Sequence, residues 1–336
     1  MDGSSYLFDA DSSKGASMIA LSDKPRVIVS ACLLGNLVRF NGQHSRDRFV
    51  SSLHEFLEID TTCPEVEAGM GIPREPIRIV QDGGTRVVGL QTSKDYTELL
   101  EDFSSRKVDS LRRQPIDGFI MKQKSPSCGL FSVKNYLPNG HPQGRRAGVF
   151  GEQLMENFHH VPIEEEGRLN DPLLRESFLM RVYAHHRLRG LFAGAPSAGE
   201  IVAFHSKEKL LLLAHCQRSY RHLGRMVSNP NGYKADEFKQ EYVQCFMEAL
   251  GNKYCHKNHV NVIQHCFGYV KDDVTPETKH HFLKVLNEYS RQIISLSSIL
   301  GVLESLIAQY QVDYLKQQTY FSPYPQDLKL RNFTTG

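Results

Sequence analysis

The spacing of apolar residues changes character once along this chain. In the first half, short apolar runs alternate with longer stretches whose apolar residues recur every three or four positions. Residues 26–31 predict a buried strand, and residues 45–57 a helix with Ser45 as its N-cap. Strands follow at 57–61 and 85–91. Tyr96, Leu99, Leu100, Phe103, Val108 and Leu111 keep helical spacing over 93–113. Residues 118–122 predict a further strand, 131–136 another, and 148–159 a helix. Asp82-Gly83-Gly84, Pro138-Asn139-Gly140 and Pro142-Gln143-Gly144 read as turns. Strands alternating with helices predict an α/β domain, a mostly parallel sheet between two helical layers.

Near residues 164–171 the alternation stops, and helix follows helix with polar breaks at 194–199, 228–232 and 272–276. Leu210, Leu211, Leu213 and Ala214 share one helix; Phe282, Leu283, Val285, Leu286 and Tyr289 share another; residues 293–310 form a long apolar one. The segment Tyr320-Phe321-Ser322-Pro323-Tyr324-Pro325 predicts an extended tail packed back on these helices. The expected organisation is a disordered leader over residues 1–24, an α/β domain over 25–165 and an all-α domain over 170–336.

The 336 residues leave room for two cores, and 40% hydrophobic with 23% charged residues is an ordinary soluble composition. No apolar run reaches the length of a membrane span. The first 24 residues, rich in Ser, Asp and Gly, lack the basic start and apolar centre of a signal peptide. Seven cysteines, an odd number without a secretory signal, predict reduced thiols and a cytoplasmic protein rather than a disulfide framework. The net charge of +2 is unevenly spread. Residues 1–169 carry 20 basic and 23 acidic side chains; residues 170–336 carry 20 and 15, with ten of the fifteen histidines. A net-basic second half permits an anionic partner.

Three of the cysteines change the picture. Cys32, Cys63 and Cys128 each stand just past a predicted strand, and in open α/β sheets ligands bind outside the carboxyl ends of the strands. Three thiols on one rim suggest a soft metal centre, iron–sulfur or zinc, with one position left for water or substrate. The competing reading is three separate buried cysteines, although Gly, Pro and polar residues around each make poor core surroundings. Glu65, two residues after a candidate ligand, is placed for general acid–base work; a carboxylate in a helix's first turn is the plainer alternative. Ser125 is the preferred direct partner of substrate or water, and Ser127 a supporting residue of the same pocket. Turn chemistry accounts equally for both, since they flank Pro126. Ser30, Arg39, Asn41, His44 and Asp47 complete a candidate substrate-binding set.

These residues lie in a series of motifs: Ser30-Ala31-Cys32-Leu33-Leu34-Gly35, the stretch from Arg39 to Asp47, Cys63-Pro64-Glu65-Val66, Pro73-Arg74-Glu75-Pro76 and Lys124-Ser125-Pro126-Ser127-Cys128-Gly129. In order and spacing, residues 24–161 resemble the TudS-like thiouracil desulfidase family. The second half resembles the YbgA-like helical domain often fused behind it, through Lys209 to Ala214, Tyr220-Arg221-His222-Leu223-Gly224 and the tail from Gln317 to Pro325. The resemblance implies a [4Fe-4S] cluster held by Cys32, Cys63 and Cys128, with one iron not bound by protein. It further implies an enzyme that replaces the sulfur of a thiolated uracil by oxygen from water, releasing hydrosulfide without net redox change. The substrate would be thiouracil or 4-thiouridine, free or within tRNA.

The second half carries a basic patch candidate in residues 181–189 and 207–225, to be weighed against an ordinary solvated helical face. Fusion to a net-basic helical domain favours a polyanionic substrate such as tRNA. Tyr254-Cys255-His256, His259 and His265-Cys266 match no strong zinc spacing; core cysteines and surface histidines are the expected reading. Two other functions compete with the desulfidase. One is a redox or sulfur sensor built on the three thiols, with the helical domain contacting a partner. The other is a structural zinc site completed by His44.

Overall fold

In a computed structural model of the chain, residues 24–331 are described. The leader expected over residues 1–24 therefore lies outside the described residues, apart from Lys24.

The run Val27-Ile28-Val29 has no polar side chain to turn to water, so its strand must be covered on both faces. It forms β1 (Arg26–Ser30), flanked in parallel by β2 (Glu58–Thr62) and, through register Val27 with Gly118, by β5 (Gly118–Met121). Between them in sequence come α1 (Arg48–Ser52), α2 (Pro64–Glu67), β3 (Ile77–Gln81), β4 (Thr85–Gly89) and α3 (Thr97–Leu111). After β5 follow β6 (Val133–Tyr136), β7 (Pro142–Arg146), α4 (Val149–Asn157) and β8 (Ile163–Glu165). The main sheet has order β2-β1-β5-β8 and is parallel throughout.

Alternation along the central strands builds the three layers. Ile28, Phe119 and Met121 point into a core with Val108 and Leu111 of α3 and Phe150 and Leu154 of α4. Val27, Val29 and Ile120 point the other way. The expected mostly parallel, three-layer α/β domain is thus present. A second sheet, order β4-β3-β6-β7, was not expected from the sequence. In it Asp82-Gly83-Gly84 closes the antiparallel β3–β4 hairpin, and the segment around Pro142, read as a turn, is the edge strand β7. The helix expected at 45–57 is shorter. Its N-cap is Asp47, whose side chain accepts a hydrogen bond from Val50 N, and not Ser45.

Beyond β8 come α5 (Pro172–Leu191), α6 (Ala198–His215), α7 (Gln217–Ser228), α8 (Ala235–Leu250), α9 (His256–Phe267), α10 (Pro276–Ser290), α11 (Leu296–Gln309) and α12 (Asp313–Lys316). Local chemistry sets their starts. Asp171 caps α5 with Pro172 at its first position, and Ser197 with Glu200 makes a capping box on α6. The tail from Tyr320 returns to the bundle, with Tyr320 and Tyr324 buried. Among the described residues no helix is long and apolar enough to cross a membrane.

The two halves share one core. Phe178, Val182 and Leu188 of α5 belong to the same apolar cluster as Val27, Val29 and Ile120 of the sheet and the interior of the bundle. Gly118 lets α5 close on β5: a Cβ there would lie 2.9 Å from Val182 Cγ2. At this seam Asp117, fully buried, accepts hydrogen bonds from Arg26 N, from Arg189 Nε and NH2, and pairs with Nδ1 of His185 and His186. Burial pushes its carboxyl up, but the bonds from Arg189, His185 and His186 outweigh it and hold the group far below the aspartate range.

We expect Asp117→Ala to leave two partly buried imidazoles and a guanidinium without their anion, costing about 3 kcal/mol in chemical denaturation. Because the folded pKa is depressed, the wild-type contribution is complete above the unfolded pKa and is lost as pH falls below about 4. Wild type should therefore lose stability on acidification in a way the variant does not.

Candidate active site

The parallel sheet sends three loops to one rim. After β1, a tight 3-10 turn over Ala31–Leu34 carries Cys32. After β2, Cys63 begins α2, with Pro64 at the first helical position. After β5, the loop 122–132 carries Cys128. The three cysteines line a single cavity of about 670 Å³, together with Ser30, Arg39, Glu65, Ser125 and Ser127. Asn41, His44 and Asp47 do not line it. Asn41 bonds Gln43, His44 Nδ1 takes the Arg46 N–H, and Asp47 caps α1.

The loop of each thiol is fixed by hydrogen bonds, at Cys63 and Cys128 through carboxylates. Ser30 Oγ takes the N–H of Lys122 at 2.9 Å, tying the end of β1 to that of β5. Glu67 Oε1 accepts from Thr62 Oγ1 and Cys63 N, both at 2.8 Å, while its other oxygen pairs with Lys107. The loop bearing Cys128 is clamped by β8 and the residue after it. Glu165 accepts from Leu130 N, Phe131 N and Ser132 Oγ; Glu166 takes Gln123 N and the Lys122 ammonium. The first N–H groups of α4 close the third side: Val149 N donates to Pro126 O, and Phe150 N and Gly151 N to Ser127 O. Gly151 is required here, because a Cβ would stand 2.3 Å from Gly129 O.

Burial pushes the Cys32 thiol up to about 11 and Cys128 further still, with Cys63 also raised; the charges of the neighbouring thiolates add to the rise at Cys32 and Cys128. As thiolates they require a strong positive centre, the condition a bound metal centre meets. Among the described residues, no group of three or more His, Cys, Asp or Glu side chains is placed to hold a single metal ion. His44, with Nδ1 on the Arg46 N–H, stands outside the lining of the cysteine cavity.

Glu65 is fixed at both oxygens. Oε2 is gripped by Arg74, at 2.8 Å from Nε and 2.7 Å from NH2, with side chains only 12% and 5% exposed. Oε1 accepts from Ser127 Oγ at 2.7 Å. Ser127 Oγ in turn lies 3.0 Å from Ser125 Oγ, which also accepts from the Cys128 and Ser127 N–H groups. Arg74–Glu65–Ser127–Ser125 is thus one continuous chain from the interior to the cavity wall. Ser127, almost fully buried at the cavity wall, links Glu65 to Ser125.

The roles of Arg74, Glu67, Glu165 and Glu166 were not read from the sequence. For Arg74 a signal existed, since it stands inside a motif. The carboxylates of β8 sit in a stretch that read as a domain border. The wider rim is basic. Arg39, Arg78, Lys124, Lys134 and Arg145 line the cavity, and among the described residues none is within ion-pair distance of a carboxylate. Arg78 lies over the Tyr136 ring.

We expect Glu165→Ala to strip three donors of their acceptor at once. Each buried donor left unpaired costs about 1–3 kcal/mol, so the loss should exceed that of an ordinary surface change. Hydrogen exchange at the Leu130 and Phe131 amides should accelerate.

The profile of the 2-thiouracil desulfurase family matches residues 27–166, and that of a family described as a protein of unknown function (DUF1722) matches residues 209–325. Protein YbgA of Escherichia coli K12 is 28% identical over 158 residues, spanning 47% of this chain and 94% of that protein. Protein YbbK of Bacillus subtilis 168 is 30% identical over 156 residues, spanning 44% of this chain and 99% of YbbK. A solved structure titled as the [4Fe-4S]-dependent thiouracil desulfidase TudS is 29% identical and covers 44% of this chain and 95% of its own, with a TM-score of 0.36. Through its α/β half the chain belongs to the 2-thiouracil desulfurase family, with a DUF1722 helical region behind it.

Proposed function

We propose that the protein is a desulfidase of thiolated uracil, converting C=S to C=O with water and releasing hydrosulfide. The reading rests above all on the chain Arg74–Glu65–Ser127–Ser125 ending at a cavity that three cysteines share. A sensor needs the thiols but no such proton path.

The donor set fits a [4Fe-4S] cluster. Three soft sulfurs line one cavity, and thiolates are the ligands such a cluster takes. Cys32, Cys63 and Cys128 would hold three irons and leave the fourth free of protein. Such a cluster, when bound, supplies a soft Lewis acid for a thiocarbonyl sulfur, which leaves the ring carbon open to water. The protein's part is proton handling and placement. Ser125, on the wall, passes a proton from the attacking water to Ser127, and Ser127 passes one to Glu65 Oε1. The Arg74 fork keeps Oε1 turned toward the serines by occupying Oε2. The same path, run backwards, returns a proton to the departing sulfur. Two serines and a glutamate thus move protons, with an arginine holding the glutamate in place, and no electron changes hands.

The cavity exceeds what a uracil ring fills, and its rim of unpaired cations favours a substrate carrying phosphate. The helical half adds to this. Of the basic residues in 181–225, Arg187 pairs with Glu208, while His185, His186 and Arg189 are spent on Asp117 at the seam. Arg218, Arg221 and Arg225 remain exposed on α7, spaced to share one face. We assign this row to a phosphate backbone, so that 4-thiouridine within tRNA is the larger substrate served.

We expect protein purified without oxygen to be brown, and Ser in place of Cys32, Cys63 or Cys128 to lose iron and activity together. Colourless, iron-free wild-type protein releasing sulfide from 4-thiouracil would sink the cluster. Glu65→Gln should keep iron and absorption while turnover drops about a hundredfold or more. Reversing charge at Arg218 and Arg221 should weaken action on thiolated tRNA in a salt-dependent way and leave 4-thiouracil turnover unchanged. Equal losses on both substrates would remove the RNA role.

A further inference from the structure

One face of the second sheet is packed and the other looks into the cavity. Ile77 and Ile79 of β3, Val87 of β4 and Val133 of β6 enter an apolar core with Leu100 of α3. By strand alternation Arg78 and Lys134 stand on the opposite face, and both line the cysteine cavity. The pairing of Ile79 with Asn135 sets Arg78 beside Lys134, and Lys134 is directly opposite Arg145 of β7. Arg78, Lys134 and Arg145, all in the cavity lining, thus form a row of cations across three neighbouring strands. Two interstrand steps of roughly 4.8 Å put its ends about 10 Å apart along the sheet.

Such a row weakens the sheet that carries it, because like charges directly opposite on paired strands repel. Acid groups are at hand: Arg146, the next residue along β7, takes both oxygens of Glu152. Yet among the described residues no carboxylate comes within ion-pair distance of the row. Arg78 Nε is buried and meets no acceptor. Its guanidinium lies 5.7 Å from the centre of the Tyr136 ring, which holds it in place without neutralising it. Cations kept side by side and unpaired in a cavity are arranged for an anion that the described residues do not supply.

The two walls of the cavity divide the task. The thiols come from loops of the main sheet, and the row comes from the second sheet. A uracil whose sulfur reaches the thiols leaves its sugar and phosphate to the row. One phosphate cannot meet both ends of a row this long, whereas successive phosphates of a strand can. In a stacked and paired strand the thiolated edge of the base is turned inward, away from the phosphates. It cannot enter the cavity while they touch the wall unless the nucleotide leaves the stack.

We propose that Arg78, Lys134 and Arg145 take successive phosphates of an RNA strand on either side of a uridine turned out of its stack into the cysteine cavity. The proposal rests on the desulfidase reading for what happens to the base, and it extends that reading. The substrate is an extruded nucleotide, and the second sheet holds its backbone without reading its sequence.

The test uses the full chain and a sulfur-free RNA hairpin with 2-aminopurine next to a uridine in its stem. Wild type should bind it with an affinity that falls as salt rises, and 2-aminopurine fluorescence should increase as its neighbour leaves the stack. Lys134→Gln combined with Arg145→Gln should weaken binding about tenfold or more, lower the salt slope by about two and abolish the fluorescence increase. Uridine 5′-monophosphate, used as a competitor, should lose less affinity than the hairpin. The double variant should melt no lower than wild type, since a like-charge pair is gone, so lost binding is not lost folding. Equal losses for hairpin and mononucleotide would show a site for a single phosphate and overturn the strand reading. Undiminished hairpin binding in the variant, or wild-type binding without the fluorescence increase, would overturn it as well. The hairpin carries no thiolated base, so each of these failures leaves the desulfidase reading standing. A protein that extrudes the uridine but frees no sulfide from thiolated RNA would end that reading and keep the phosphate row.

Discussion

The parallel pairing of β1 with β2 and β5 is the constraint on which the site depends. Each of the three strands ends at the same edge, and each is followed at once by a cysteine-bearing loop. Residues nearly a hundred positions apart are brought to one cavity by backbone hydrogen bonds alone. The pairing is enforced by burial on both faces, since Val27, Val29, Phe119 and Ile120 are fully shielded and each contributes about 2 kcal/mol by leaving water. A slip of one residue would turn every one of these side chains to the wrong layer.

The strands bring the loops together but do not shape them. That task falls to carboxylates. Glu67 fixes the backbone at Cys63, and Glu165 and Glu166 fix both ends of the loop that carries Ser125, Ser127 and Cys128. Burying Glu165 and Glu166 is costly unless each finds cations or N–H donors. Here each does, and the partners are the groups a catalytic loop would otherwise leave unpaired. Glu65 differs in one respect: one oxygen is spent on Arg74 and the other faces a serine, so it is held without being saturated.

How much of this was legible depended on range. β1, β5, α3 and α4 follow from local patterns, apolar runs for the strands and helical periodicity for α3, that tertiary packing leaves intact. β7 and β8 escape such reading because the edge strand Pro142–Arg146 carries mostly exposed polar side chains, and a three-residue strand has no room for a period. The cysteines were legible because they follow the strands. Arg74, Glu165 and Glu166 were not, because their meaning lies in which distant N–H each meets. The same limit explains the basic residues of α5: His185, His186 and Arg189 resemble a surface patch in sequence, and only Asp117, nearly seventy positions earlier, makes them internal.

That seam bears on how the halves work together. A hinge between domains needs few apolar contacts and exposed polar ones. Here a continuous apolar core crosses the border, α5 serves as an outer layer of the sheet, and a fully buried anion pins it at the end opposite the cavity. The helical half is therefore fixed relative to the cysteine rim. For the polyanionic substrate proposed above, the span between the α7 arginines and the cavity would be set before binding, so gripping it at two separated places would cost the protein no ordering.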